Sequence, residues 1–265
     1  MAMDIEALVI SVSYIVLTSA FCFYVRKAVE SYVTAEPSRF ICLEFLATAE
    51  MCATGFELLV IAEAHGLWIY AVCLFLFTIY FSKCCGEACA CPYIYIENYL
   101  SGSIDSTRAV LAIAAEIAGG LAVFQYVNAL WSLGLELHHV GRSVWICEAA
   151  LQVPVLLGAL AEGIGTCLCR LSSKALSDTD VSVSFALDSF IGTSIVLAAW
   201  NFSGGYFNPA LATSMKYGCL GHTAAEHFMV YWIGATAGAV AAQYLYNQPI
   251  VKSLLTGGIG PQKAD

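Results

Sequence analysis

The sequence predicts an all-α membrane protein: six transmembrane helices in two inverted repeats with two re-entrant half-helices, plus one extra N-terminal transmembrane helix. Three observations predict it. The 265 residues are 60% hydrophobic and 12% charged, a balance far from that of soluble domains. Seven apolar runs are long enough to cross a bilayer. The last six fall into two halves with the same order of features, and each half contains a Pro-led apolar stretch too short to span.

The first run, 7–25, follows Asp4 and Glu6 and precedes Arg26 and Lys27. A cleavable signal peptide has a basic leading region. The charge order here suits an uncleaved anchor with its N-terminus outside; a cleaved signal is the alternative. The other long runs are 40–62, 67–83, 108–131, 143–169, 182–200 and 226–246. The shorter stretches are 92–101 and 209–219. Connections are short, so residues 1–265 read as one domain. With the N-terminus outside, the inner connections carry Arg26, Lys27, Arg39, Lys83, Arg108, Arg170, Lys174, Lys252 and Lys263, and only Arg142 and Lys216 fall outside. That asymmetry is the positive-inside pattern for seven crossings, with the C-terminus in the cytosol.

The repeats cover 39–131 and 143–247, and 7–25 stands outside them. Glu44 and Glu148 stand early in corresponding long runs. Each of these is followed by a second long run, a Pro-led half-segment (Cys91-Pro92-Tyr93 or Asn208-Pro209-Ala210) and a third run. The third runs share Gly120-x4-Gln125-Tyr126 and Gly238-x4-Gln243-Tyr244. Three crossings per repeat invert the second relative to the first, an arrangement that puts a site at the midplane.

The stretch Ser203-Gly-Gly-Tyr-Phe-Asn-Pro-Ala-Leu211 carries the most local information. Asn is a strong N-cap and Pro suits the first helical turn, so a glycine loop opens into a short helix at Asn208. A half-helix at membrane depth is tolerated only where it is buried in protein or lines a cavity. Its N-terminus then presents a positive dipole end and free N–H groups.

These features together resemble the aquaporin (major intrinsic protein) family over roughly 39–247. The nearer likeness is to the divergent superaquaporin branch, carried by Glu44-Phe-Leu-Ala-Thr48, Ala129-Leu-Trp-Ser-Leu-Gly-Leu135, Phe207-Asn-Pro-Ala-Leu-Ala212 and Val230-Tyr-Trp-Ile233. The altered first motif, Cys91-Pro92-Tyr93, and the extra first segment fit that branch. The resemblance implies a right-handed bundle forming a passive channel for water and small neutral solutes in the lipid bilayer, as a homotetramer without a cofactor. An intracellular membrane, the endoplasmic reticulum, or the plasma membrane would be its location. It also implies that both motifs, Cys91, Pro92 and Tyr93 with Asn208, Pro209 and Ala210, meet at mid-pore. There Asn208 would donate to passing water, and Glu44 and Glu148 would each hold a half-helix loop by accepting its backbone hydrogen bonds.

Two departures from the family pattern bear on selectivity. Cys91 replaces the first Asn, and a thiol is a weak donor and a poor cap, so the middle of the pore loses polarity. Tyr93 is bulkier than the usual Ala. Leu211 stands where strict water channels carry Arg, so a cationic barrier becomes an apolar wall. With Gly205, Ala71 and Val196 at the remaining filter positions, the constriction is expected to be wide and apolar. Glycerol and hydrogen peroxide then join water as solutes, while ions stay excluded because nothing replaces their hydration.

Glu50, Glu57, Glu116 and Glu162 also lie in apolar runs but have no family role. Glu50 and Glu57 share a helix face, which suggests a vestibule or a partner subunit. The twelve cysteines read as small packing residues and not as a disulfide framework, because most fall inside apolar runs. Cys84, Cys85, Cys89 and Cys91 lack a zinc-finger spacing; lipidation of Cys84 or Cys85 is a further alternative. The five histidines, at 65, 138, 139, 222 and 227, are expected to be solvated outer-loop residues. Asn201-Phe202-Ser203 is a sequon too close to the membrane for glycosylation. Gly234/Gly238 and Ala115/Gly119 are small-residue pairs for close helix crossings.

Eleven Lys and Arg without a basic cluster exclude nucleic-acid binding. No nucleophile–base pair or phosphate loop points to an enzyme. A seven-helix receptor fits the crossing count, but the Asn-Pro element of such receptors continues to a Tyr in the last helix, and Ala212 stands at that place. An inverted-repeat secondary transporter coupled through Glu44 or Glu148 is the third reading.

Overall fold

The computed structural model describes residues 4–142, 147–179 and 183–256. The first four residues expected in the 143–169 run, the first of the 182–200 run, and Lys263 lie outside them. The described chain is helical. In order, α1 is Ile5–Tyr32, α2 Glu36–His65, α3 Leu67–Cys84, α4 Pro92–Leu100, α5 Ser106–Trp131, α6 Val155–Ser177, α7 Ser184–Ala199, α8 Pro209–Lys216, α9 Ala224–Tyr246 and α10 Pro249–Leu255. Six of these (α1, α2, α3, α5, α6 and α9) are long and apolar enough to cross a membrane, and α7 is a shorter apolar helix. The chain divides into two compact units, residues 1–149 with 208–224, and 150–207 with 225 onward.

In the first unit α2 packs on α1, α3, α5 and α8, and the half-helix α4 packs on α5. The α2–α5 crossing is close because residue 119 is glycine: a Cβ there would sit 2.4 Å from the Phe45 carbonyl oxygen. Polar contacts attach the extra helix α1. Asp4 caps it by accepting from the Ala7 N–H at 3.2 Å. Tyr14 donates to the Leu130 carbonyl at 3.2 Å, Thr18 bonds the Tyr126 hydroxyl at 2.7 Å, and Tyr80 donates to the Ser19 carbonyl at 3.1 Å. Arg26 forms a buried ion pair with Glu50. Bonds of this kind hold a helix where lipid removes the hydrophobic force between helices.

In the second unit α6 packs on α7 and α9. Gly234 and Gly238 of α9 face Ala159 and Gly163 of α6, so closely that a Cβ on Gly238 would lie 2.0 Å from the Gly163 carbonyl oxygen. The small-residue reading therefore finds its partner. Within α9, Phe228–Gly234 is a π-helical turn. Such turns are uncommon and mark local re-aiming of side chains; this one carries Tyr231, whose hydroxyl donates to the Ser203 carbonyl at 2.7 Å.

The structure corrects the run expected at 143–169. Its helix begins only at Val155, after Pro154 at the N-cap. Proline disfavours helical backbone in the residue before it, so the helix cannot extend further back. Residues 147–149 are extended and meet the chain beyond α8. The Ala149 N–H donates to the Leu220 carbonyl at 2.7 Å and the Leu220 N–H to the Cys147 carbonyl at 2.9 Å. A Cys147–Cys219 disulfide closes the same junction. The purely packing reading of the cysteines thus fails for these two, both of which lie outside helices.

Candidate functional site

The site is built on the two Pro-led half-helices. At the first, Glu44 of α2 is fully buried and accepts from the Cys89 N–H at 2.9 Å, the Ala90 N–H at 3.0 Å and the Tyr95 hydroxyl. Ala90 is held at φ 51° and Cys91 at φ −150°, ψ 112°, with no side-chain cap from Cys91. At the second, Glu162 of α6 is fully buried and accepts from the Tyr206 N–H at 3.0 Å, the Phe207 N–H at 2.6 Å and the Ser203 hydroxyl at 2.6 Å. Phe207 is held at φ 47° and Asn208 at φ −151°, ψ 113°. A left-handed non-glycine residue is costly and persists only where its surroundings fix it. Both loops have this strain at the residue before the motif, and in both a carboxylate binds that residue's N–H and its predecessor's.

Asn208 does two jobs. Its Oδ1 accepts from the Ala210 N–H at 2.9 Å and the Leu211 N–H at 3.3 Å, capping α8. Its Nδ2 donates to the Ala90 carbonyl at 2.8 Å. The N-terminus of α8 is thus tied to the residue preceding α4, so both motifs come together within the first unit. The amide nitrogen also approaches the Met51 sulfur at 3.5 Å, a weak acceptor. Pro92, Tyr93, Pro209 and Ala210 are buried. Gly205 backs onto α7: a Cβ on it would lie 2.8 Å from the Val196 carbonyl oxygen, which leaves glycine as the residue that fits, with φ 66°. Leu211 meets α2 at Gly55. Ala71 is buried on α3.

Glu148 does not hold the second loop. It is exposed, in the extended segment before α6, and its backbone pairs with Leu220. Glu162 has the role instead. Spacing alone could have found it: Glu44 precedes Cys91 by 47 residues and Glu162 precedes Asn208 by 46, whereas Glu148 precedes it by 60.

The remaining carboxylates turn inward. Glu50 takes Arg26. Glu57 accepts from Trp131 Nε1 at 3.0 Å and lies 2.8 Å from His139 Nε2. Both are buried, which replaces the vestibule and partner readings. Glu116, also buried, lies beside Glu44 and the Cys91 backbone. His139 and His227 are fully buried, so the solvated-loop reading fails for them. His139 stacks on Tyr14 at 5.2 Å, a contact that exists only because α1 covers this end of the unit. Cys85 and Cys91 are buried, and among the described residues no group of His, Cys, Asp or Glu is arranged to hold a metal ion.

A scan against protein-family models finds no match. Curated relatives do match. The chain is 30% identical over 240 residues to "Aquaporin-11" of Milnesium tardigradum, covering 89% of this chain and 86% of that protein. It is 27% identical over 208 residues to human "Aquaporin-11", covering 77% and 76% of the two chains, and 24% identical over 247 residues to mouse "Aquaporin-12", covering 90% and 85%. Among solved structures, the aquaglyceroporin from Plasmodium falciparum superposes with a TM-score of 0.63 at 16% identity, over 83% of this chain and all of that one, which shows a shared fold. A relative at this identity, matched over most of both chains, places the protein in the aquaporin family, on its superaquaporin branch.

Proposed function

We propose that the chain is a passive transmembrane channel for water and small neutral solutes, glycerol and hydrogen peroxide among them, and that it is not an enzyme. The observation that carries this reading is the Asn208–Ala90 hydrogen bond, which brings two half-helix starts together. Half-helix N-termini present N–H groups and positive dipole ends, which repel cations. A water arriving at Asn208 would compete with the Met51 sulfur for the amide proton, and oxygen is the stronger acceptor. The opposite position offers only the Cys91 thiol. Leu211, Gly205, Ala71 and Val196 form the filter in this proposal. Leu211 withholds the charge that would exclude larger polar solutes, and Gly205 keeps room beside Val196.

Glu44 is already committed to two backbone N–H groups and a hydroxyl, which favours loop support over proton coupling. We place residues 1–265 in one channel domain, with 39–131 and 143–247 as its repeats and 7–25 as an extra helix, in a homotetramer. The membrane is intracellular, the endoplasmic reticulum, or the plasma membrane, with the N-terminus luminal or outside and the C-terminus cytosolic. The disulfide supports this orientation. Cys147 and Cys219 lie on the side assigned as outer, and disulfides persist in oxidising compartments.

Osmotic shrink–swell of liposomes holding purified protein, with water, glycerol and peroxide compared, tests the proposal. The expected result is flux above empty liposomes without saturation or dependence on an ion gradient. No flux for any solute, or flux that collapses with a gradient, would overturn it. Leu211→Arg should suppress glycerol more than water, and equal suppression would remove residue 211 from the filter.

A further inference from the structure

A lateral groove in the first unit is separate from the proposed pore. It encloses about 670 Å³ between α2, α5, the end of α8, Arg142 and residues 147–149, and no motif or filter residue lines it. Its lining is of two kinds. One wall is apolar: Leu121 and Phe124 of α5 are 53% and 42% exposed beside Phe56. Exposed apolar side chains on a spanning helix face hydrocarbon. The rim is charged, with Lys216, Arg142, Glu63 and Glu148, and Trp131 and Tyr217 complete the lining.

The rim charges are not all answered. Arg142 is occupied, donating from Nε to the His138 carbonyl at 2.7 Å and pairing with Glu63. Lys216 Nζ donates to the Glu148 backbone carbonyl at 2.9 Å; Glu63 and Glu148 act on it at longer range, and among the described residues no carboxylate forms a direct ion pair with it. An ammonium has three donors, so this one retains capacity for a phosphate. The Glu148 carboxylate is exposed on the same rim.

We infer that the groove binds one zwitterionic phospholipid, its phosphate on Lys216, its headgroup ammonium toward the Glu148 carboxylate, and an acyl chain along Leu121 and Phe124. With Arg142 and Glu63 paired to each other, Lys216 and Glu148 are left to answer a phosphate and an ammonium together. An anionic lipid would leave that carboxylate facing its negative charge with no ammonium between them. A free phosphate would leave the apolar wall unused.

Native mass spectrometry of the full-length protein in detergent tests this, with phosphatidylethanolamine, phosphatidylglycerol and glycerophosphoethanolamine as probes. The expected result is one phosphatidylethanolamine per chain, held about tenfold more tightly than phosphatidylglycerol, the scale of one charge-assisted hydrogen bond. Lys216→Met should weaken it about tenfold. Leu121→Trp, which fills the groove and leaves the rim alone, should weaken it similarly, and melting temperatures in lipid-free detergent report whether each variant folds. Equal retention of the two lipids would overturn the inference. So would displacement of the lipid by equimolar glycerophosphoethanolamine, which would make the groove a site for small polar solutes, or undiminished retention in the folded variants.

Discussion

Removing the Glu162 carboxylate should loosen the second half-helix far more than removing that of Glu148. In Glu162→Ala the Tyr206 and Phe207 N–H groups, at 3.0 and 2.6 Å from the carboxylate, lose their acceptor in a buried loop. The Ser203 hydroxyl can rotate to another partner, but the backbone donors cannot. Each stranded buried donor costs about 1–3 kcal/mol, so the two together cost about 2–6 kcal/mol. The same bonds oppose relaxation of Phe207 from φ 47°, a backbone state that itself costs about 1–3 kcal/mol. Glu148→Ala removes only an exposed carboxylate and retains the backbone bonds to Leu220, so its effect should stay within about 0.5 kcal/mol. Glu162→Gln keeps one acceptor oxygen and should fall between. Unfolding in detergent, followed with water flux in liposomes, reads both consequences. Equal destabilisation by the two alanine variants, or a Glu162→Ala protein as stable as wild type, would refute the assignment.

Three further outcomes are expected. Arg26→Ala should destabilise by about 3–5 kcal/mol, because it strands Glu50 without its buried partner, while an Arg26→Leu/Glu50→Leu double variant should recover much of that; unfolding midpoints of the three proteins decide it. Cys219→Ser removes a crosslink spanning 72 residues and should lower stability by about 4 kcal/mol on the chain-entropy account; reductant should lower the wild-type midpoint and leave the variant's unchanged. The Lys252 hydrogen bond, seconded by Tyr246, holds the Asp178 carboxyl below its usual range. A depressed acid stabilises above its unfolded value and loses that contribution as pH falls through the folded one. Protection of α10 amides from hydrogen exchange, taken relative to the intrinsic rate at each pH, should therefore fall on acidification below the ordinary carboxylate range, and Asp178→Asn should abolish that change in protection.

The spans and the two half-helices were legible in the sequence because their causes are local: run length against bilayer thickness, and a Pro in the first turn after a capping residue. What escaped depends on contacts distant in the chain. Glu148 stands early in an apolar run that begins at 143, as Glu44 does in its own run, but Pro154 delays the helix to Val155, twelve residues into that run. Glu162 has the same distance to its motif as Glu44 to within one residue. The Cys147–Cys219 pairing carries no spacing signal, since two extended segments meet only after α8 is in place. The burial of His139 depends on α1, whose docking surface of Tyr14, Thr18, Ser19 and Arg26 is polar and leaves little trace in a hydropathy profile.

The first motif shows most directly what is local and what is not. Cys91 and Asn208 share a backbone conformation to within about one degree in φ and ψ although only Asn208 caps its helix. The cap therefore does not create that geometry. The common elements are the carboxylate below each loop, the left-handed residue before each motif and the proline after it. A thiol can replace Asn without moving the backbone because the fold is held from beneath. What the replacement removes is the cap acceptor and an amide donor at the start of α4, and that loss is chemical, with the backbone left in place.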